Sequence, residues 1–83
     1  LNPRSYDIFK LRSEIYYHRK NYINAINDLT YIIINISPEN EDIYILRGNY
    51  YLENEQPYNA ISDYTQALAL DPDKIIAYYN RAE

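Results

Sequence analysis

Residues 43–72, IYILRGNYYLENEQPYNAISDYTQALALDP, decide the fold of this chain. Tyr44, Arg47, Gly48 and Tyr51 fall at i, i+3, i+4 and i+7, which puts them on one face of a helix. Ala60, Ile61, Tyr64, Ala67 and Leu68 make a second stripe of the same kind. Between the stripes lies Glu53-Asn54-Glu55-Gln56-Pro57, a polar connection whose proline suits the first turn of a following helix. Asp71-Pro72-Asp73 closes the unit, and Ser37-Pro38-Glu39-Asn40 precedes it. Asn40 and Asp73 are the expected N-caps, because a short side-chain oxygen there can take an unpaired helix N–H.

Outward from this segment the chain repeats itself. At a shift of 35 residues, Arg12, Tyr16, Ala25, Ile26, Asp28 and Thr30 return unchanged as Arg47, Tyr51, Ala60, Ile61, Asp63 and Thr65. Phe9 and Ser13 return as Tyr44 and Gly48, aromatic for aromatic and small for small. At a shift of 34, Pro38, Tyr44, Arg47 and Gly48 return as Pro72, Tyr78, Arg81 and Ala82. Such a period marks a stacked-repeat architecture. The expected elements are helices at about 5–18, 22–36, 41–54 and 57–70, with a fifth from about 74, and short connections make neighbours antiparallel. Starting at Leu1 and stopping at Glu83 in mid-pattern, the chain is expected to be a piece of a longer array.

One stretch argues otherwise when read alone. Tyr31-Ile32-Ile33-Ile34-Asn35-Ile36 is β-branched and uncharged, the composition of a strand or of an aggregation-prone window. The repeat aligns it with Gln66–Leu70, which is helical in pattern. The propensity penalty is a few tenths of a kcal/mol per residue, roughly, and burial offsets that. Thr30 to Pro38 is one residue longer than Thr65 to Pro72, and the extra residue is expected at the end of the second helix.

The seven positions Tyr44, Gly48, Tyr51, Ala60, Tyr64, Ala67 and Pro72, followed by Ala77-Tyr78-Tyr79-Asn80-Arg81-Ala82, carry a resemblance: the chain looks like the tetratricopeptide repeat family. In the first unit Phe9, Ser13, Tyr16, Ala25 and Leu29 fit the same pattern, while Ile32 replaces the second alanine. The resemblance implies an all-α fold, with antiparallel helix-turn-helix units stacked as a right-handed α-solenoid of about five helices. Residues 1–83 would then be a single domain, with repeat 1 at about 6–40, repeat 2 at about 41–74 and the opening helix of a third at about 75–83. Gly48 in a helix interior costs about 1 kcal/mol relative to alanine, so close approach of another helix backbone is expected there.

Arg12, Arg47 and Arg81 recur at one place on the first helix of each unit, and Asp28 and Asp63 at one place on the second. A repeated Arg–Asp pair is expected to clamp helices together, within a unit or between adjacent ones. Exposed pairs are worth under about 1 kcal/mol, whereas breaking a buried one costs about 3–5 kcal/mol.

Composition removes several functions. Net charge is −4 and no Lys/Arg cluster offers a face to phosphates, which argues against nucleic acid. No apolar run approaches the roughly 18–20 residues that span a bilayer. Without cysteine there is neither a disulfide framework nor a thiolate metal site, and the compartment stays open, with a cytoplasmic one favoured. His18 is the single histidine, the serines lack a base at any telling spacing, and one glycine makes no phosphate loop. The acidic pairs Glu39/Glu41 and Asp71/Asp73 flank prolines at helix starts, where capping and dipole effects explain them. No catalytic, cofactor or metal site is expected, and the chain reads as a non-enzyme.

In the family resembled, the first helices of the units line a concave face on which peptides lie. That implies a peptide-binding groove of Lys10, Glu14, Tyr17, Ile45, Asn49, Leu52, Ile76, Tyr79 and Asn80, an apolar strip with acidic neighbours. A protein or peptide with apolar and basic residues would fit it. A subset of the family grips C-terminal carboxylates with lysines, asparagines and an arginine. In one register Lys10 matches, but Glu14 and Leu46 stand where asparagines are needed, Ile76 replaces the second lysine and Asn80 the arginine; shifted by one repeat, Asn49 and Asn80 match but Ile45 replaces the lysine. Carboxylate-tail binding is therefore not expected. The leading reading is a protein–protein interaction module. The alternatives are a structural or self-associating segment pairing through open repeat ends, or the regulatory arm of a larger enzyme.

Overall fold

The computed structural model describes residues 4–73. Among them are four helices and no strand: α1 (Ser5–His18), α2 (Tyr22–Asn35), α3 (Glu41–Glu53) and α4 (Pro57–Leu70). These bounds fall within a residue or so of the sequence expectation. The expected fifth helix, from about 74, lies outside the described residues.

Each unit turns from its first helix to its second in the same way. The Asn21 N–H donates to the Tyr16 carbonyl at 2.8 Å and the Lys20 N–H to Tyr17 at 2.9 Å. In the second unit Gln56 donates to Tyr51 at 2.8 Å and Glu55 to Leu52 at 3.0 Å. This paired bonding satisfies the last carbonyls of the helix and needs one residue in the left-handed region. Lys20 (φ 61°) and Glu55 (φ 60°) occupy it, although glycine is the residue best suited there. Pro57 then opens α4, where its missing N–H loses nothing. The Asn40 side chain accepts from the Asp42 N–H at 3.0 Å, as expected of an N-cap. Asn21 caps α2 by accepting from the Asn24 N–H.

Contacts within a unit run in opposite directions along its two helices: Phe9 stacks on Tyr31, Arg12 bonds Asp28, and Tyr17 meets Tyr22. The helices of a unit are therefore antiparallel. The isoleucine tract is helical and divides by helical spacing. Ile32 and Ile33 are buried with Ala25, Ile26 and Leu29, while Ile34 and Tyr31 face outward. Burial of one face overrides the local β preference. The extra residue in the first unit lies just past α2, where the Ser37 N–H reaches back five residues to the Ile32 carbonyl at 2.8 Å.

The second unit docks on the first through Ile43, Leu46 and Tyr50 of α3, which pack into the same cluster as Ile26 and Ile33 of α2. Tyr50 also reaches α1 and stacks on Tyr17 with ring centroids 4.6 Å apart.

Gly48 answers to a side chain, not to the helix backbone expected from the sequence. A Cβ at this position would lie 2.6 Å from Cε1 of Tyr64, inside any real contact distance. The Tyr64 hydroxyl donates to Asn49 and holds the ring in place. In the first unit the corresponding pair is Ser13 and Leu29, both buried, where a smaller side chain on α2 leaves room for a larger one on α1.

Candidate peptide-binding face

The recurring charges are structural, and they pair within a unit. Arg47 holds Asp63 with two parallel bonds, Nε to Oδ2 at 2.8 Å and Nη2 to Oδ1 at 2.7 Å. Arg12 holds Asp28 in the same fork, at 2.9 and 2.6 Å. Both aspartates are buried, but the Arg47 side chain is 16% exposed and that of Arg12 52%. Burial alone would pull the Arg47 guanidinium down, and the hydrogen bonds and charge of Asp63 more than reverse it. For Arg12 the bonds and charge of Asp28 dominate and hold it above its ordinary value. Each guanidinium also lies over two rings, Arg12 over Phe9 and Tyr16, Arg47 over Tyr44 and Tyr51. Arg47 reaches further: its Nη1 donates to the Thr30 hydroxyl at 3.1 Å, tying α3 to the preceding unit.

The residues expected to line a groove separate into three groups. Lys10, Glu14, Tyr17, Asn49 and Leu52 retain accessible surface. Lys10 and Glu14 form a loose i, i+4 pair at 4.0 Å. Tyr17 is half-buried by its stacking on Tyr50, and burial together with the nearby Glu53 charge raises its hydroxyl above the ordinary value. Leu52 is exposed on the last turn of α3. Asn49 accepts from Tyr64, so its side-chain oxygen is already engaged.

Ile45 is a correction. It was expected on the outward strip and is 1% exposed, packed with Ala67, Tyr44 and Tyr64. Ala67 is small and leaves a space on α4 that Ile45 fills. In the first unit the matching α2 residue is the buried Ile32, and the matching α1 residue, Lys10, stays at the surface. The third group, Ile76, Tyr79 and Asn80, lies outside the described residues.

Tyr50 was not expected at this face. Burial pushes its hydroxyl up to about 12, with Glu14 and Tyr17 adding to the effect and a hydrogen bond with Ser13 opposing it. The signal was present in the sequence, since Ile43, Leu46 and Tyr50 form a second apolar row at i, i+3 and i+7 beside the one that sets the repeat. What remains around Tyr17 is an aromatic surface with Glu14 and Glu53 beside it, Lys10 next to Glu14 and His18 at the edge of the Tyr17 ring. Among the described residues no three His, Asp or Glu side chains group as metal ligands, and no helix is long and apolar enough to cross a membrane.

Known families bear on this geometry at one place. The family model for the tetratricopeptide repeat matches residues 41–74, the span of α3, its turn and α4. Over residues 41–74 the chain is thus similar to that repeat. Tetratricopeptide repeats generally mediate protein–protein interactions and are generally not enzymes. No curated protein and no solved structure matches the chain. Residues 5–35 reproduce the repeat's helix pair, its left-handed turn residue and its Arg–Asp fork, so two units of one design stand side by side.

Proposed function

We propose that this chain is a tetratricopeptide array that holds a peptide segment of a partner protein on the face built by α1 and α3, the inner side of a right-handed stack in which residues 1–83 form one domain. The first repeat would run from about 6 to 40, the second from about 41 to 74, and the helix of a third from about 75. The observation that carries the reading is the aromatic surface of Tyr17, stacked on Tyr50 and flanked by Glu14 and Glu53. Aromatic floors of this kind are a common source of binding energy, and the carboxylates select for a cation beside the apolar anchor. Lys10, Glu14, Tyr17, Asn49 and Leu52 are the contact residues proposed among those described, and Ile76, Tyr79 and Asn80 extend the same face in sequence.

A peptide library screened against the chain, followed by anisotropy titration of labelled hits, tests this. Hits should combine an aromatic or aliphatic anchor with Lys or Arg, and should weaken as salt rises. Leu52→Glu and Tyr17→Ala should each reduce affinity at least about tenfold. Hits of acidic character, or hits that bind both variants as tightly as the parent, would sink the proposal.

A further inference from the structure

The two units are alike in sequence but not in what covers them. On α3, Ile43 and Tyr50 are 0% and 3% exposed, because α2 and α1 cover them. Their counterparts on α1 are Ile8 and Ile15, and Leu11 stands where α3 has Leu46. Ile8, Leu11 and Ile15 are 57%, 60% and 44% exposed, a continuous row at i, i+3 and i+7. The opposite end of the pair is open in a complementary way. Ile26 and Ile33 of α2 are buried under α3, whereas their counterparts on α4, Ile61 and Leu68, are 58% and 44% exposed. Each end thus carries one half of an interface whose assembled form exists between α2 and α3.

A polar contact marks the same register. Arg47 spends two nitrogens on Asp63 and gives the third to Thr30 of the preceding unit. Arg12 makes the same fork with Asp28, and among the described residues no hydroxyl stands on it as Thr30 stands on Arg47. Thr30 donates its own proton to the Ile26 carbonyl at 2.8 Å, which leaves its oxygen free to accept from Arg47. Thr65 is prepared identically, donating to the Ile61 carbonyl at 2.8 Å, and is exposed.

We propose that the occupant of the α1 row is a second copy of this chain, docked head to tail so that Ile8, Leu11 and Ile15 of one copy cover Ile61 and Leu68 of the next. Arg12 then donates to Thr65 of that copy as Arg47 donates to Thr30. The competing cover for α4 is the chain's own segment 74–83. At the shift of 34 it places Ala77 and Asn80 where α3 has Ile43 and Leu46, so it brings less apolar surface than the row on α1 does. Because the two surfaces differ, the contact is heterologous and adds copies in a line instead of closing a pair. It uses none of the peptide-face residues on α1 and α3, and it excludes a third helix of the same chain stacked on α4.

Sedimentation velocity over a concentration series tests it, with circular dichroism to check that each variant stays helical. The parent chain should grow beyond one copy as concentration rises. Leu11→Glu blocks the head and Ile61→Glu blocks the tail, and each alone should remain a single copy. If Ile61→Glu loses helicity, Leu68→Glu takes its place. A mixture of the two blocked variants should form a particle of two copies and nothing larger, since one intact head meets one intact tail. Adding Thr65→Val to the Leu11→Glu copy should weaken that mixed pair about tenfold. A parent that stays a single copy at all concentrations overturns the proposal. So does a mixture that fails to pair, because the α4 face is then held by something else. A head-blocked variant that dissociates while the tail-blocked one still assembles would mean like pairs with like, and overturns it equally.

Discussion

Gly48→Ala sets helix propensity against packing, and the geometry decides which prevails. Alanine gains about 1 kcal/mol over glycine in a helix interior. Against this, the new Cβ would sit 2.6 Å from Cε1 of Tyr64, so the ring must retreat by about 0.8 Å to reach the 3.4 Å at which ordinary contact begins. Overpacking of this kind costs about 1–3 kcal/mol. The retreat also strains the bond from the Tyr64 hydroxyl to Asn49, worth about 1 kcal/mol. The net is a loss of about 1–3 kcal/mol, which in a domain of this size lowers Tm by roughly 4–8 °C per kcal/mol. Tyr64→Leu recreates the residue found at the matching place in the first unit, Leu29, beside which the larger Ser13 is accommodated. The two substitutions should therefore offset one another, with a coupling of at least about 1 kcal/mol in a double-mutant cycle. Urea unfolding of the parent, both single variants and the double variant measures this, provided the slopes agree. A Gly48→Ala variant more stable than its parent, as propensity alone requires, would refute the reasoning. A cycle that is additive within about 0.5 kcal/mol would do the same.

Three further outcomes are expected. Asp63→Ala should cost about 3–5 kcal/mol and Asp28→Ala distinctly less, because the Arg47 left behind is buried while Arg12 can be rehydrated. Equal losses in denaturant titrations would show that burial does not separate the two forks. Lys20→Gly and Glu55→Gly should each stabilise by about 0.5–1 kcal/mol by relieving a left-handed side-chain residue, net of the greater freedom of glycine in the unfolded chain. Melts that show a loss at both sites would contradict the turn assignment. The Tyr50 hydroxyl is raised from 10.0 to about 12 in the folded state, so the fold favours its neutral form. That contribution is complete below pH 10 and disappears as pH climbs from 10 to about 12, and Tyr50→Phe should flatten this part of the stability profile. An identical alkaline profile for parent and variant would count against it.

The helix pairs were legible in the sequence because each was announced twice. The period fixed the isoleucine tract as helix where local propensity pointed to strand, and Asn40 and Pro57 marked the starts of α3 and α4. The Arg–Asp fork was legible as a pair but not as to which helices it joined, since one period of shift leaves both pairings open. Only the distances place Asp63 on Arg47 within the unit and Thr30 on the same guanidinium from the unit before. The cause of the small residue at Gly48 was not legible either. A one-chain pattern shows that a position must be small, but not whether a backbone or a ring imposes it.

The candidate face was less legible than the fold for a physical reason that Ile45 exposes. Helical angle alone separates outward from inward positions on the first helix only if the facing helix is the same in both units. It is not. Where α2 has Ile32, α4 has Ala67, and the volume missing from the second helix is supplied from the first by Ile45. The exchange runs the other way at the neighbouring position, where Tyr64 is large and Gly48 gives up its side chain, while Leu29 is smaller and Ser13 keeps one. Both interiors are close-packed, and the division of side chains between the two helices differs from one unit to the other. A residue of the first helix is therefore available to a partner only when the second helix has filled the space behind it. By that criterion Lys10, backed by Ile32, is available and Ile45 is not, although the two occupy the same place in the repeat. The surface that varies between units is thus set as much by the buried residues of the second helices as by the exposed residues of the first.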